Sequence, residues 1–238
     1  MVLRQDELVW TRLNNPLDRK LTDAIRDYAS KLENVFENRH FVADGKKLFS
    51  DPAGLDFLRA ILRHIQKELP LRQKWSAPAI QHAFALYKSA GGPATPLHQD
   101  RPYWKTFESE ATMMTFWIAL EEIDEGMGCL RLNRNDFVEP SQFGRLNTPA
   151  EVHPHVQDDS GLRITGEAGA RLAEKMSPIP VHEGDIILLD AFQVHASEKN
   201  SSSKARRAMK IVMGDAGSMQ KHLMTLEDLN AGIAGKTA

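Results

Sequence analysis

The sequence predicts a mainly β fold with helical additions: a double-stranded β-helix, or jelly roll, with N-terminal helices packed on one sheet. Two patterns predict it. From Pro78 onward, short runs of alternating apolar residues are separated by glycine-rich turns, as in strands with a buried face. Before Pro78, apolar residues recur every three or four positions between helix start and stop signals. Helices followed by short strands of this kind indicate a jelly roll.

Two helices are predicted in residues 1–75. Asn15 offers a helix N-cap and Pro16 the first helical position. The apolar stripe that follows consists of Leu17, Leu21, Ile25, Tyr28, Leu32 and Val35. Asp51 and Pro52 repeat the start signal and Pro70 is the stop, with a stripe of Leu55, Leu58, Leu62, Ile65 and Leu69 between them. Such stripes pack against a core, so neither helix is expected to carry chemistry.

The strands are predicted in residues 78–214. Segments with strand composition are residues 78–90, 112–120, 129–132, 181–196 and 206–213. The first contains the alternating Ile80, His82, Phe84 and Leu86, and it breaks at the Gly-Gly-Pro of residues 91–93. The second and third flank a turn at residues 124–128, so a hairpin is expected there.

One domain is expected for the 238 residues, a common length for a jelly roll with additions. It would consist of a helical part at 1–75, a β-helix core at 78–214 and a tail with a short helix at 215–238. Residues 133–176 are long, polar and broken by prolines, with a short helical stretch near Glu167 to Lys175. Segments of this kind are often active-site lids, so a lid-like insertion is predicted.

Composition excludes several function classes. Thirty basic and thirty-two acidic residues give a net charge of −2 without a long run of one sign, so neither nucleic acid nor a membrane surface is an expected partner. A single cysteine, Cys129, excludes an internal disulfide, and the first residues lack the apolar core of a signal peptide. No apolar run approaches the roughly 20 residues of a membrane span. A cytoplasmic protein with a small-molecule substrate is expected, of undetermined oligomeric state.

A candidate metal site begins at His98 and Asp100. Two residues apart on an extended strand, the two side chains point to the same face. His195 is the best third ligand, because it follows an apolar run at 186–189 that a sandwich could lay beside the first strand. Two histidines and one carboxylate leave coordination positions free, which suits non-haem Fe(II). The residues alone also allow a surface hydrogen-bonded pair and a satisfied core histidine.

The ordered set of motifs resembles the phytanoyl-CoA dioxygenase (PhyH) family of Fe(II)/2-oxoglutarate oxygenases, over about residues 78–214. The matching motifs are His98-Gln99-Asp100-x-Pro102-Tyr103-Trp104, Phe116-Trp117-Ile118-Ala119-Leu120, Gly128-Cys129-Leu130-Arg131 and His195-x-Ser197-x-x-Asn200. Arg206 follows His195 by eleven residues, the spacing of the family's arginine. Strand alternation does not choose between Arg206 and Arg207; the family spacing selects Arg206. The family's Pro-Gly-Ser-His turn is missing, since Asn133-Arg134-Asn135 stands in its place.

The resemblance implies a cupin-like jelly roll and a set of roles. His98, Asp100 and His195 would hold Fe(II), with 2-oxoglutarate and O2 as co-substrates. Arg206 would bind the far carboxylate of 2-oxoglutarate as a planar fork, and Ser197 would donate a hydrogen bond to it. Gln99 and Trp117 match family positions near the co-substrate, although ordinary strand packing explains them equally well. Asp100 fills the position that related halogenases leave to a small residue, so oxygen transfer is expected.

Substrate contacts are less defined. Tyr103 and Trp104 stand just past the ligands and form either an apolar substrate wall or part of the core. His82 is expected to line the pocket. His155, in a His153-Pro154-His155 motif without a carboxylate or thiolate neighbour, is expected to face solvent or substrate rather than a second metal.

The expected activity is therefore a dioxygenase that hydroxylates an unactivated C–H bond of a small-molecule metabolite and releases succinate and CO2. The same cofactor chemistry also allows desaturation or ring closure. Two other classes remain as alternatives: a non-catalytic jelly-roll binding protein with a vestigial metal site, and a metal-dependent hydrolase or isomerase. The sequence does not identify the substrate.

Overall fold

Two antiparallel sheets form the framework of the computed structural model, which describes residues 10–33, 41–42, 51–100, 113–133, 164, 166–191, 193–219 and 222–231. The strands are β1 (Trp10–Arg12), β2 (Phe41–Val42), β3 (Pro78–Lys88), β4 (Thr95–His98), β5 (Met113–Ala119), β6 (Leu130–Asn133), β7 (Met176–Ile179), β8 (Ile186–Asp190), β9 (His195–Ser197), β10 (Arg206–Asp215) and β11 (Met224–Thr225). The helices are α1 (Arg19–Glu33), α2 (Pro52–Glu68), α3 (Leu71–Lys74), α4 (Gly166–Lys175) and α5 (Leu226–Ala231), with a 3-10 turn at Ala216–Ser218.

The larger sheet has the order β1-β8-β5-β10-β3-β11, with β2 also paired to β3. The smaller sheet has the order β4-β9-β6-β7. From β3 to β6, and again from β7 to β10, consecutive strands alternate between the sheets, as the wound strands of a double-stranded β-helix do. The predicted fold class is confirmed.

The apolar strand β5 explains how the layers stack. All seven of its residues are buried. Met114, Phe116 and Ile118 belong to the core cluster that α1 and α2 share with the larger sheet. Trp117 and Ala119 point the other way, into a second cluster between the sheets. A central strand with both faces covered reads as a continuous apolar run, which is what the sequence shows.

The helices cover the outer face of the larger sheet. Asp51 caps α2 as predicted, because its side chain accepts a hydrogen bond from the backbone N–H of Ala53, with proline at the start of the helix. Leu58, Ile61 and Ile65 are fully buried against the sheet. The prediction that N-terminal helices pack on one sheet is confirmed.

The predicted start of α1 at Asn15 is wrong by a few residues. The helix begins at Arg19, and Asp18 caps it by accepting a hydrogen bond from the N–H of Lys20 at 2.9 Å. The backbone N–H groups of Asn14 and Asn15 instead donate to the Glu68 carboxylate, at 2.9 and 2.6 Å. These tertiary contacts hold the preceding segment outside the helix.

The predicted hairpin between residues 112–120 and 129–132 is also wrong. β5 lies between β8 and β10 in the larger sheet, whereas β6 pairs with β7 and β9 in the smaller one. The turn therefore carries the chain from one sheet to the other. A strand buried on both faces takes partners on both edges, and distant strands supply them here.

The run at 186–189 does not lie beside the strand of His98. It forms β8, which pairs with β1 and β5 in the larger sheet. The chain then crosses to the smaller sheet, where β9 pairs with β4 and His195 stands opposite His98. The expected proximity of the two histidines is found, through a different strand.

Part of the proline-broken segment is described. α4 confirms the predicted helical stretch, and Met176 begins β7. The remainder of the lid prediction falls on residues outside the described ranges, as do Tyr103, Trp104 and His155. The lid and the domain division therefore stay predictions.

The helices were compared with the length and apolar character of a membrane span. Over the described ranges, none is both long and apolar enough to cross a bilayer. The cytoplasmic location stays a prediction.

Asn200, the last residue of the histidine motif, is a structural residue. It is fully buried, and its Nδ2 donates to the carbonyl oxygens of Lys88, Ser89 and Lys204, while Oδ1 accepts from Ser202. We expect Asn200→Ala to lower the free energy of unfolding by about 2–4 kcal/mol, because it leaves buried carbonyl groups without donors. Urea denaturation measures this. Ser201→Ala, at an exposed neighbour, is the control, and equal effects of the two variants would contradict the prediction.

Candidate active site

The three predicted metal ligands meet between the two sheets. His98 ends β4 and His195 begins β9, and antiparallel pairing sets the two residues directly opposite each other. Residues in this register share a face, so their rings are only 4.1 Å apart between centroids. Asp100 follows two residues after His98. The sheet thus places the three side chains together, although a hundred residues of chain separate the histidines.

The ligand atoms point toward one another. Asp100 Oδ1 lies 3.9 Å from His98 Nε2 and 3.7 Å from His195 Nε2. The ligand atoms of all three buried residues fall within 4.8 Å of one another. Across the described residues, no other group of three such side chains meets in this way.

Backbone carbonyl groups orient both imidazoles. His98 Nδ1 lies 2.8 Å from the carbonyl oxygen of Pro96, and His195 Nδ1 lies 2.9 Å from that of Gln193. An imidazole that donates from Nδ1 keeps the Nε2 lone pair for a metal ion. Burial also lowers the pKa of His195, which favours the neutral form that a metal requires.

Asp100 is held as an anion. Thr115 Oγ1 donates to Oδ2 at 2.9 Å and Lys210 Nζ donates to Oδ1 at 2.6 Å. Burial alone would raise the pKa of the carboxyl group, but the positive charge of Lys210 and its hydrogen bond to Oδ1 hold that pKa well below its usual range. Two neutral imidazoles and one carboxylate are the donor set of non-haem Fe(II) sites, so the residues fit the predicted metal.

Arg206 and Arg207 point to opposite faces of β10. Arg206 is buried, its Nη1 donates to the carbonyl oxygen of Gly128 at 2.6 Å, and its guanidinium lies 5.7 Å from the Trp117 ring centroid. Arg207 pairs instead with Glu121, 3.6 Å away. Trp117 belongs to the cluster between the sheets, so Arg206 is the arginine on the inner side.

Gly128 is required by this arrangement. Its φ is +73°, and a Cβ there would lie 2.4 Å from the carbonyl oxygen of Glu198. Only glycine permits both this left-handed conformation and the close approach. The Gly-Cys-Leu motif therefore positions the carbonyl group that holds Arg206.

The other predicted site residues are distributed around this centre. Ser197 lies two residues after His195 in β9, and Ser197, Gln99 and Trp117 are all buried. His82 is half-buried on β3 opposite Val212, and its ring stacks on that of Phe84 at 5.3 Å. Their contacts with a co-substrate or substrate stay predictions.

Two lysines of this centre were missed by the sequence analysis. Lys210 contacts Asp100 as described above. Lys88 stands opposite Arg206 in the β3–β10 pairing, and its Nζ donates to Ser197 Oγ at 2.8 Å and to the carbonyl oxygen of Glu198 at 2.6 Å. Burial, followed by the charge of Arg206, lowers the pKa of Lys88 to about 7. The strand alternation through His82 and Leu86 extends to Lys88, and this signal could have identified it.

Comparison with known proteins finds a family that most of this chain matches. Residues 11–208 match the sequence profile of the phytanoyl-CoA dioxygenase (PhyH) family. The chain is 26% identical over 141 residues to phytanoyl-CoA dioxygenase domain-containing protein 1 of Mus musculus, covering 58% of this chain and 46% of that protein. It is 27% identical over 144 residues to 2-aminoethylphosphonate dioxygenase of Uncultured bacterium HF130_AEPn_1, covering 60% and 48%. The chain thus spans about half the length of these curated relatives.

Solved structures share the fold. The carbocyclase SnoK from nogalamycin biosynthesis has a TM-score of 0.64 at 17% identity, over 97% of this chain and 89% of that one. The epimerase SnoN, solved with Fe3+, alpha ketoglutarate and nogalamycin RO, has a TM-score of 0.61 at 18% identity, over 90% and 80%. Both are described as non-haem alpha ketoglutarate dependent enzymes. At these identities the likeness shows the double-stranded β-helix.

Proposed function

Because the chain belongs to the phytanoyl-CoA dioxygenase family, we propose that it is an Fe(II)/2-oxoglutarate-dependent dioxygenase that hydroxylates an unactivated C–H bond of a small-molecule metabolite. The observation that carries the proposal is the buried cluster of His98, Asp100 and His195, with Arg206 on the inner side of β10. A vestigial site would not be expected to keep all three ligands and their hydrogen-bonded partners.

The residues divide into an iron subsite and a carboxylate subsite. His98, Asp100 and His195 would hold Fe(II), and Arg206 with Ser197 would hold the far carboxylate of 2-oxoglutarate. When bound, iron and 2-oxoglutarate supply the oxidising power of the reaction with O2, releasing succinate and CO2. The chain's own residues orient these groups: the carbonyl groups of Pro96 and Gln193 fix the imidazoles, and Thr115 fixes the carboxylate.

An anaerobic titration tests this function. Purified protein should develop the visible charge-transfer band of an Fe(II)–2-oxoglutarate chelate, and air should then release succinate. A protein that forms neither the band nor succinate would be a non-catalytic jelly roll. The same test addresses the hydrolase and isomerase alternatives, which need no dicarboxylate.

Oxygen transfer, and not halogenation, is the expected reaction. Asp100 would fill the coordination position that a halide needs, and hydrogen bonds from Thr115 and Lys210 hold its carboxylate in place. We expect incubation with a metabolite extract, 2-oxoglutarate and chloride to give a product that has gained one oxygen atom, detected by mass spectrometry. A chlorine isotope pattern in the wild-type product would contradict this prediction.

Desaturation and ring closure remain the second candidates within the same chemistry. A structural neighbour is described as a carbocyclase and another as an epimerase, so the fold supports more than hydroxylation. A product that has lost two hydrogen atoms without gaining oxygen would favour them.

A further inference from the structure

Two basic side chains, Lys88 and Arg206, lie side by side in the interior, and no acidic side chain among the described residues pairs with either of them. Lys88 and Arg206 are opposite residues of β3 and β10, and they are only 2% and 5% exposed. Within the described ranges, neither forms a salt bridge. The carboxylate of Glu198 pairs with Arg131 at 2.6 Å, and that of Glu121 lies 3.6 Å from Arg207. These two acids are therefore engaged elsewhere.

Such a pair is unfavourable unless an anion joins it. Removing one charge from water costs several kcal/mol, and a like charge beside it adds to that cost. The Arg206 Nε is buried and has no hydrogen-bond partner among the described residues. The positive charge of the pair and the unused Nε–H donor of Arg206 are thus what an anion-binding subsite requires.

Ser197 belongs to the same subsite, because it is hydrogen-bonded to Lys88. Its Oγ accepts a hydrogen bond from Lys88 Nζ at 2.8 Å. A hydroxyl group that accepts from a lysine directs its own hydrogen away from that lysine, and it then donates to another acceptor. Lys88 therefore sets the direction in which Ser197 donates.

We propose that Lys88 is a positioning residue of the carboxylate subsite: it orients Ser197 and gives the subsite a second positive charge for the far carboxylate of the co-substrate. The inference rests on the proposed function, because that function supplies the dicarboxylate. Lys88 would thereby select 2-oxoglutarate over 2-oxo acids that lack a second carboxylate. Arg206 would bind the far carboxylate directly with its planar guanidinium group. Lys88 would act through its hydrogen bond to Ser197 and through its own positive charge.

The test compares two probes that chelate iron through the same 2-oxo acid group. 2-Oxoglutarate carries the far carboxylate and 2-oxopentanoate does not. We expect Lys88→Met to weaken 2-oxoglutarate binding at least about tenfold, from the loss of one charge-assisted interaction, with little change for 2-oxopentanoate. Anaerobic titration of the charge-transfer band measures both affinities. Because the reacting end is not altered, the KM for 2-oxoglutarate should rise while kcat stays close to that of the wild type.

Further variants separate charge, hydrogen bond and packing. Lys88→Gln keeps a donor for Ser197 but removes the charge, and it should lose part of the preference for 2-oxoglutarate over 2-oxopentanoate. Lys88→Arg keeps the charge and should retain most of that preference. Lys204→Met, at an exposed lysine, is the control and should match the wild type. For each variant, the rise in Tm on adding 2-oxoglutarate, compared with the Tm of the same variant without it, gives a second measure of binding.

The outcomes are distinguishable. Equal losses for both probes in Lys88→Met, or full selectivity in both Lys88→Met and Lys88→Gln, would overturn the role of Lys88 while the proposed function stands. If the wild type forms no band with either probe, the proposed function fails and the inference fails with it.

Discussion

Replacing His195 with alanine is expected to abolish Fe(II)-dependent decarboxylation of 2-oxoglutarate while leaving the fold intact, and His98→Ala should do the same. Each histidine supplies one of three ligand atoms that lie within 4.8 Å of one another. Loss of a partner that merely orients a ligand typically costs about 10–100-fold, so loss of a ligand should cost more than about a hundredfold. The apolar clusters of the core are built from other residues and stay intact in both variants, which is why the fold should persist.

Succinate release and circular dichroism together check this result. His182→Ala is a suitable control, because His182 pairs with Glu122 at the exposed surface. Normal turnover in His98→Ala or His195→Ala would remove that histidine from the metal site. Loss of activity together with loss of the folded spectrum would show a structural role instead.

Arg206→Ala is expected to raise the apparent KM for 2-oxoglutarate about a hundredfold, since a charge-assisted bidentate contact is worth a few kcal/mol. Arg207→Ala should change it less than about threefold. The two arginines are adjacent in sequence but point in different directions. Arg206 lies over Trp117 between the sheets, whereas Arg207 lies over the Tyr87 ring, 5.7 Å from its centroid. Removing Arg207 breaks a partly exposed contact with Glu121, and such pairs contribute little.

Steady-state kinetics at saturating Fe(II) measures both variants. Similar increases in KM for the two would mean that positive charge near β10 matters more than a specific fork. A larger increase for Arg207→Ala would show that the register borrowed from the family is wrong. Arg206→Lys adds a geometric test: it keeps the charge but not the planar fork, and should recover only part of the affinity.

Local patterns in the sequence predicted several helices and strands and the pairing of two candidate metal ligands, His98 and Asp100. Alternation with a period of two marked β3, strand composition marked β10, and the Asp51–Pro52 start signal marked α2, because each depends on neighbours a few residues away. His98 and Asp100 were predicted to point together for the same reason. The apolar run at 186–189 suggested His195 as the third ligand, and the family resemblance, not periodicity, selected Arg206.

Only the tertiary structure decided which strands pair and which charges are buried. β5 and β6 separate into different sheets because β5, apolar on both faces, takes β8 and β10 as partners from distant parts of the chain. α1 starts late because Glu68, on another helix, binds the backbone before it. Alternation along β3 places Lys88 on the same face as His82 and Leu86, but it does not specify the partners of Lys88. Those are decided by β10, which sets Arg206 opposite Lys88, and by β9, which brings Ser197 to its amino group.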